Sequence, residues 1–286
     1  MNEQLKYYKQ KIVLKFKRSS QFFRMKVYRV KNKKFQIIMK NNRKFLKGVD
    51  TFLTTKQYSN GDYGIPIKLF EHIDKPFNNY PTYSDLLVFM SDYFNRNDFN
   101  YLEIGVSVMK NYFQLANQLN NINLTGFDIN TINPNFIDLF ERESEHLFTA
   151  NYQSNNLSYF QGDLLKKNHT EKFLENGMKY NLIFSDALHT KQGVMAEYEN
   201  LIKKSLADNF ILYFDDLDFP DLLDVSKEIY NDLQRRYNNL EFFTFDINGW
   251  VGHHEKFHKN GFITNTNIGN YLITENIRLS KFKKIL

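Results

Sequence analysis

Cysteine is absent from the 286 residues, so a disulfide framework and any thiolate metal site are excluded. No apolar run approaches the ~18–20 residues of a membrane span. The N-terminus is basic but has no apolar stretch ending in small residues, which argues against a secretory signal. No zinc-finger or other standard nucleic-acid motif is present, and no internal repeat. These absences favour a cytoplasmic protein. Acid is nearly missing from one region. Residues 1–50 hold 2 of the 32 Asp/Glu but 16 of the 38 Lys/Arg.

What is present is enough for a substantial core. Hydrophobic residues make up 42% and aromatics 16%, which is not a disordered composition. The net charge of +6 is therefore a basic arm on an acidic body. Such an arm suits a phosphate-rich partner, either nucleic acid or an anionic membrane surface. It could equally dock on its own acidic body, or pair with the body of another protomer in a homo-oligomer. Leu5, Tyr8, Ile12 and Phe16 have helical spacing, as in a basic amphipathic helix. Phe35, Ile37 and Met39 alternate as in a strand.

Residues 51–80 carry the turn formers Asn60, Gly61, Gly64, Pro66 and Pro76, which predict an irregular connector. A lead-in helix is expected from Ser84 to Phe94. From about residue 98, strand-like and helical stretches alternate. Strands are predicted at Tyr101–Gly105, Leu124–Ile129, Leu157–Gln161, Tyr180–Ser185 and Phe210–Phe214. Helices are predicted at Lys110–Leu119, Pro134–Phe148, Thr170–Asn176, Gln192–Ser205 and Asp221–Arg236. Two further strands, Leu240–Phe245 and Gly269–Thr274, have no helix of useful length between them and should pair antiparallel. The expected fold is α/β, a Rossmann-like three-layer sandwich. It has a seven-stranded, mostly parallel sheet whose last strand is antiparallel, plus a basic N-terminal extension. The expected organisation is an arm at 1–50, a connector with its lead-in helix at 51–97, and a domain at 98–286.

Acids stand where the predicted strands end, and in such sheets ligands sit beyond those ends. The first strand closes on Glu103-Ile104-Gly105. A glycine there lets backbone approach a nucleotide-like ligand. Asp128 ends the second strand, where a carboxylate can accept ribose hydroxyls. Gly162-Asp163 follows the third, Asp186 ends the fourth with His189 three residues on, and the pair Asp215-Asp216 ends the fifth. Each acid taken singly is more often a turn or cap residue, and it is their order after successive strands that points to a site. Three carboxylates and a histidine at two strand tips also make a candidate site for a divalent cation and a base.

In this order of acids the chain resembles the class I S-adenosylmethionine-dependent methyltransferases. Among them it is most similar to metal-dependent O-methyltransferases of the catechol type and of the macrocin type that acts on sugars. The resemblance spans about residues 98–275. It implies S-adenosylmethionine as cofactor. Glu103 and Gly105 would hold its methionine part, Asp128 its ribose and Asp163 would lie near its adenine, with Asp186 at the cofactor's edge. It implies Mg²⁺, or another divalent cation, on Asp186, Asp215 and Asp216, with His189 as the base. The family's first loop has small residues where this chain has Met109 and Asn111. Lys110 between them could pair with the cofactor carboxylate. Trp250, His253 and His254, between the last two predicted strands, are candidates for lining the acceptor site.

The implied reaction is methylation of a hydroxyl on a small acceptor, with a sugar or glycoconjugate favoured by a histidine base. Two other readings stay open. One is a nucleic-acid methyltransferase tethered by its arm, although Asp186-Ala187-Leu188-His189 is not the Asn/Asp-Pro-Pro-aromatic tetrapeptide of base methylation. The other is a non-catalytic binding protein on a degenerate fold.

Overall fold

Along Leu182-Ile183-Phe184, successive side chains enter cores on opposite sides of one sheet. Leu182 and Phe184 join one apolar cluster and Ile183 the other. Ile211-Leu212-Tyr213 does the same. This two-sided burial is why these runs are almost continuously apolar, as parallel strands covered by helices on both faces must be. The computed structural model describes residues 31–53, 81–94, 99–134, 136–249 and 258–286.

Among these residues ten strands form one sheet: β1 (Asn100–Ile104), β2 (Asn123–Asp128), β3 (Glu141–Arg142), β4 (Leu147–Tyr152), β5 (Asn155–Gln161), β6 (Tyr180–Ser185), β7 (Leu206–Phe214), β8 (Glu241–Ile247), β9 (His258–Thr264) and β10 (Ser280–Lys284). Their spatial order is β10-β8-β9-β7-β6-β1-β2-β5-β4-β3. β5, β2, β1, β6 and β7 are mutually parallel. β9 runs antiparallel to both β7 and β8. The chain winds outward from β1 in both directions, so the order reverses between β1 and β6. That is the switch point at which open α/β sheets bind ligands.

Helices α1 (Lys33–Leu53), α2 (Tyr83–Ser91) and α3 (Lys110–Gln118) cover one face. α4 (Lys167–Leu174), α5 (Lys191–Glu197) and α6 (Pro220–Leu233) cover the other. α5 continues through a π turn at Tyr198–Ile202. A last helix, α7 (Ile268–Thr274), joins the first face. No described helix is long and apolar enough to cross a membrane.

The Rossmann-like sandwich is the expected one, but ten strands stand where seven were predicted. Pro134–Phe148 is not a helix. It holds a 3₁₀ turn at Ile137–Leu139, the short β3 and the start of β4. Leu147–Tyr152 is rich in strand formers and gains a ladder along β5, which outweighs the helix-starting proline. Gly269–Thr274 is helical, and β8 pairs antiparallel with β9 and β10 instead. Ile268 and Leu272, four apart, bury together, and a side chain on Gly269 would strike the ring of Phe243.

Phe35, Ile37 and Met39 also belong to a helix, α1. Phe35, Ile38, Met39 and Leu46 face the core while Ile37 is 59% exposed, a helical period rather than an alternation. α1 runs through the predicted boundary at residue 50 and packs on α2 and α3. Its anchor is fully buried. The Arg43 guanidinium meets both oxygens of Asp85 at 2.8 and 3.3 Å, and Asn42 adds a bond of 2.8 Å. Asp85 also closes a reciprocal capping box with Thr82 at the start of α2. The predicted helix through Leu5, Tyr8, Ile12 and Phe16 lies outside the described residues.

Candidate functional site

The site begins where β1 ends. Tyr101 and Glu103, two apart on a strand, share a face. The Tyr101 hydroxyl donates to Glu103 Oε2 at 2.8 Å, and Asn111 Nδ2 donates to the same oxygen at 2.8 Å. Glu103 is buried, and burial pushes its carboxyl up to about 8. Gly105 follows with φ +86°. A Cβ there would lie within 3 Å of the Asp186 and Ala187 backbone, so only glycine lets the β1 and β6 ends meet this closely.

The loop beyond is held left-handed at Ser107 (φ 51°) and Met109 (φ 68°). Met109 thus takes a conformation usual for glycine. Its side chain is fully buried in the apolar core and does not border the neighbouring cavity. That cavity, of about 100 Å³, is walled by Tyr83, Glu103, Gly105, Lys110, Asn111 and Asp186 among others. One ammonium and two carboxyl groups on opposed elements fit a zwitterionic amino-acid moiety such as the methionine end of S-adenosylmethionine.

Asp128 is committed to its own surroundings. Its Oδ2 accepts the Ser107 amide at 2.7 Å, and its Oδ1 accepts the Asn130 amide at 2.8 Å and Asn130 Nδ2 at 3.0 Å. A carboxylate offers about four acceptor positions, so about one remains. As it stands Asp128 can take one ribose hydroxyl and not two. Asp163 accepts the Leu165 amide at 2.9 Å, while its own amide donates to His169 Nδ1 at 3.0 Å. Neither Asp128 nor Asp163 borders the cavity. His169 and His146 are half-buried with ring centroids 4.8 Å apart.

On the other side of Asp186 lies a cluster of carboxylates and imidazoles. His189, 47% exposed, places Nε2 3.5 Å from Asp186 Oδ1 and 3.3 Å from Asp216 Oδ2. The neighbouring Asp186 raises its pKa above the usual histidine value. Asp216 turns the chain after β7 with φ 54°. Its Oδ1 meets His258 Nδ1 at 2.8 Å, and this bond lowers its pKa. A carboxylate only accepts, so the proton of that bond sits on His258 Nδ1. Asp215 receives a bond from Asn260 Nδ2. Burial first, then the charges of Asp186 and Asp216, push it up to about 8. Like charges so crowded favour either a shared proton or a bound cation.

Ligand atoms of Asp215, Asp216 and His258 all lie within 4.8 Å of one another, the one such trio among the described residues. The structure thus places His258 in the trio where the sequence suggested Asp186. Asp186 instead borders both the 100 Å³ cavity and a small one of about 10 Å³ shared with His189 and Asp215. The donor set of two carboxylates and an imidazole fits a divalent cation. His258 escaped the sequence reading because Asn260 and Gly261 look like a turn and hide β9. Trp250, His253 and His254 lie outside the described residues.

No protein-family model matches this chain, and no curated protein matches it significantly. Solved structures are similar at low identity. An O-methyltransferase from Bacillus cereus, solved with SAH, is 15% identical over 78% of this chain and 99% of that one, with a TM-score of 0.44. TomG from Streptomyces achromogenes, an O-methyltransferase of tomaymycin synthesis solved with SAM, is 12% identical over 78% and 97%, with a TM-score of 0.44. Spermidine synthase from Thermotoga maritima is 10% identical over 65% and 59%, with a TM-score of 0.40.

Proposed function

We propose that the chain is an S-adenosylmethionine-dependent O-methyltransferase that uses a divalent cation and acts on a hydroxyl of a small acceptor, of the sugar or glycoconjugate class. The observation that carries this reading is the position of Asp186. One side chain borders both the cavity under Gly105 and the carboxylate–imidazole cluster. A methyl donor on one side and an acceptor hydroxyl on the other would meet across it.

When bound, the sulfonium supplies an electrophilic methyl, and the cation lowers the pKa of the acceptor hydroxyl. The chain's own residues do the rest. Glu103, fixed by Tyr101 and Asn111, and Lys110 would hold the amino-acid end of the donor. Asp128 would take one ribose hydroxyl. Asp215 and Asp216 with His258 would hold the cation. His189, the most exposed of the cluster, would take the acceptor proton at Nε2. Alignment of this kind is worth several kcal/mol through entropy already lost on binding, and a positioned base adds about 10²–10⁴-fold.

The test is calorimetry with S-adenosylhomocysteine on the full chain, followed by acceptor turnover before and after exhaustive chelation. Micromolar binding and chelation-sensitive turnover are expected. No heat at millimolar ligand would leave only a binding protein on this fold. Undiminished turnover after chelation would remove the cation.

A further inference from the structure

We propose that His258 is a nitrogen ligand of the cation site, so that this chain selects a first-row transition ion (Mn²⁺ to Zn²⁺) over Mg²⁺. The inference rests on the cation-assisted reading above and names the ion class of that site.

Asp216 lies between two imidazoles, one at each oxygen. Oδ1 faces His258 at 2.8 Å and Oδ2 faces His189 at 3.3 Å. Only His258 shares the close trio with Asp215 and Asp216. The two histidines therefore have different surroundings and different work. His189 is solvent-facing and stands towards Asp186. His258 is set into the sheet as the first residue of β9, paired with Ile247 of β8.

Its placement is rigid. The turn carrying Asp216 is tied to the start of β9 by two hydrogen bonds of 2.7 Å. The Leu217 amide donates to the Lys259 carbonyl, and the Lys259 amide donates to Asp218 Oδ2. Two residues on from His258, and so on the same strand face, buried Asn260 donates to Asp215 while accepting the Tyr213 hydroxyl at 2.7 Å. That chain of bonds occupies Asp215 Oδ1. The pleat of one strand thus offers the cation an imidazole, the ion displacing to solvent the proton that His258 shares with Asp216, and an amide to hold the carboxylate beside it. Ligating carboxylates are typically held by such outer bonds.

The ion class follows from the donors. Mg²⁺ demands oxygen ligands in near-ideal octahedral geometry and gives up water reluctantly. Imidazole nitrogen suits the later first-row ions, whose affinity for a nitrogen-bearing site rises towards the copper end of the series. A site of three oxygens would show a weaker bias.

The experiment titrates metal-free full-length protein with Co²⁺ and with Mg²⁺ by calorimetry, and records the visible absorption of the Co²⁺ form. Co²⁺ is expected to bind at least about tenfold more tightly than Mg²⁺. His258→Gln should lose most of that preference and change the Co²⁺ spectrum, while His189→Gln should leave the spectrum as it was. If His258 only steadied Asp216, its substitution would weaken both ions alike and keep their ratio, and the proposal would be overturned. Equal or tighter Mg²⁺ binding to the unaltered protein would also overturn it, even if His258→Gln did not fold. S-adenosylhomocysteine binding is measured alongside. Cofactor binding with Mg²⁺ preferred sinks only this inference, whereas loss of cofactor binding sinks the broader reading.

Discussion

A Cβ placed on Gly105 would stand 2.3 Å from the carbonyl oxygen of Asp186. The atom it would strike is backbone on the neighbouring strand end, which cannot swing aside. Gly105→Ala should therefore push β1 and β6 apart beside the 100 Å³ cavity. The strain at φ +86° alone is worth about 1–3 kcal/mol. A matching drop in urea-derived stability and a loss of S-adenosylhomocysteine affinity are expected. Unchanged affinity would show that the close approach does not shape the cavity.

His189 stands within 3.5 Å of carboxylate oxygens from two strand ends, yet packs little against the core. His189→Ala should lower kcat by about 10²–10⁴-fold while leaving cofactor affinity and melting temperature nearly unchanged. A near-normal rate would end its role as the base.

Glu197 lies at the end of α5, fully buried, with no hydrogen-bond partner for either oxygen among the described residues. Burial pushes its carboxyl up to about 8; Ser185 beside it, outside good hydrogen-bond geometry, pulls only partly the other way, and the charge of Asp186 adds to the rise. The folded state then holds a proton that the unfolded chain releases near its ordinary carboxyl pKa of about 4.5. Stability should fall as pH rises from that value towards about 8, by up to ~1.4 kcal/mol per pH unit for this group. Glu103 contributes in the same sense. Glu197→Gln should melt higher than the unaltered protein at pH 8 and nearly the same at pH 5. Superimposable melting curves across that range would refute this account.

Arg43 and Asp85 form an ion pair with almost no exposure on either side. Removing one partner leaves a buried charge without its mate, which costs about 3–5 kcal/mol. Arg43→Ala should destabilise the whole protein by that order in urea unfolding. It should also loosen α2, whose capping box depends on Asp85 and whose first residue, Tyr83, walls the 100 Å³ cavity. A loss under 1 kcal/mol would mean that α1 is only loosely joined to the body.

Much of the central sheet was legible because its cause is local. Leu182–Phe184 and Phe210–Phe214 are uninterrupted apolar runs with an acid at or just past their ends, and burial on two faces leaves no other use for such a run. Edge elements carried weaker signals. Leu147–Tyr152 is half-exposed along most of its length, so its pattern suits a helix as well as a strand until β5 offers it a ladder. Phe35, Ile37 and Met39 imitate an alternation that Ile38 and Leu46 overrule only once there is a body for α1 to lie on.

By itself the sequence determined the doubly wound sheet and the acids at its strand tips, because period and strand-end chemistry are written in neighbouring residues. The tertiary structure alone decided which of those acids gather. It brought His258 and Asn260 to Asp215 and Asp216 from more than forty positions away, and it left Asp186 as the wall between two cavities. Such choices depend on which strand lies beside which, and β9 entered the sheet next to β7 through pairing that no local pattern encodes.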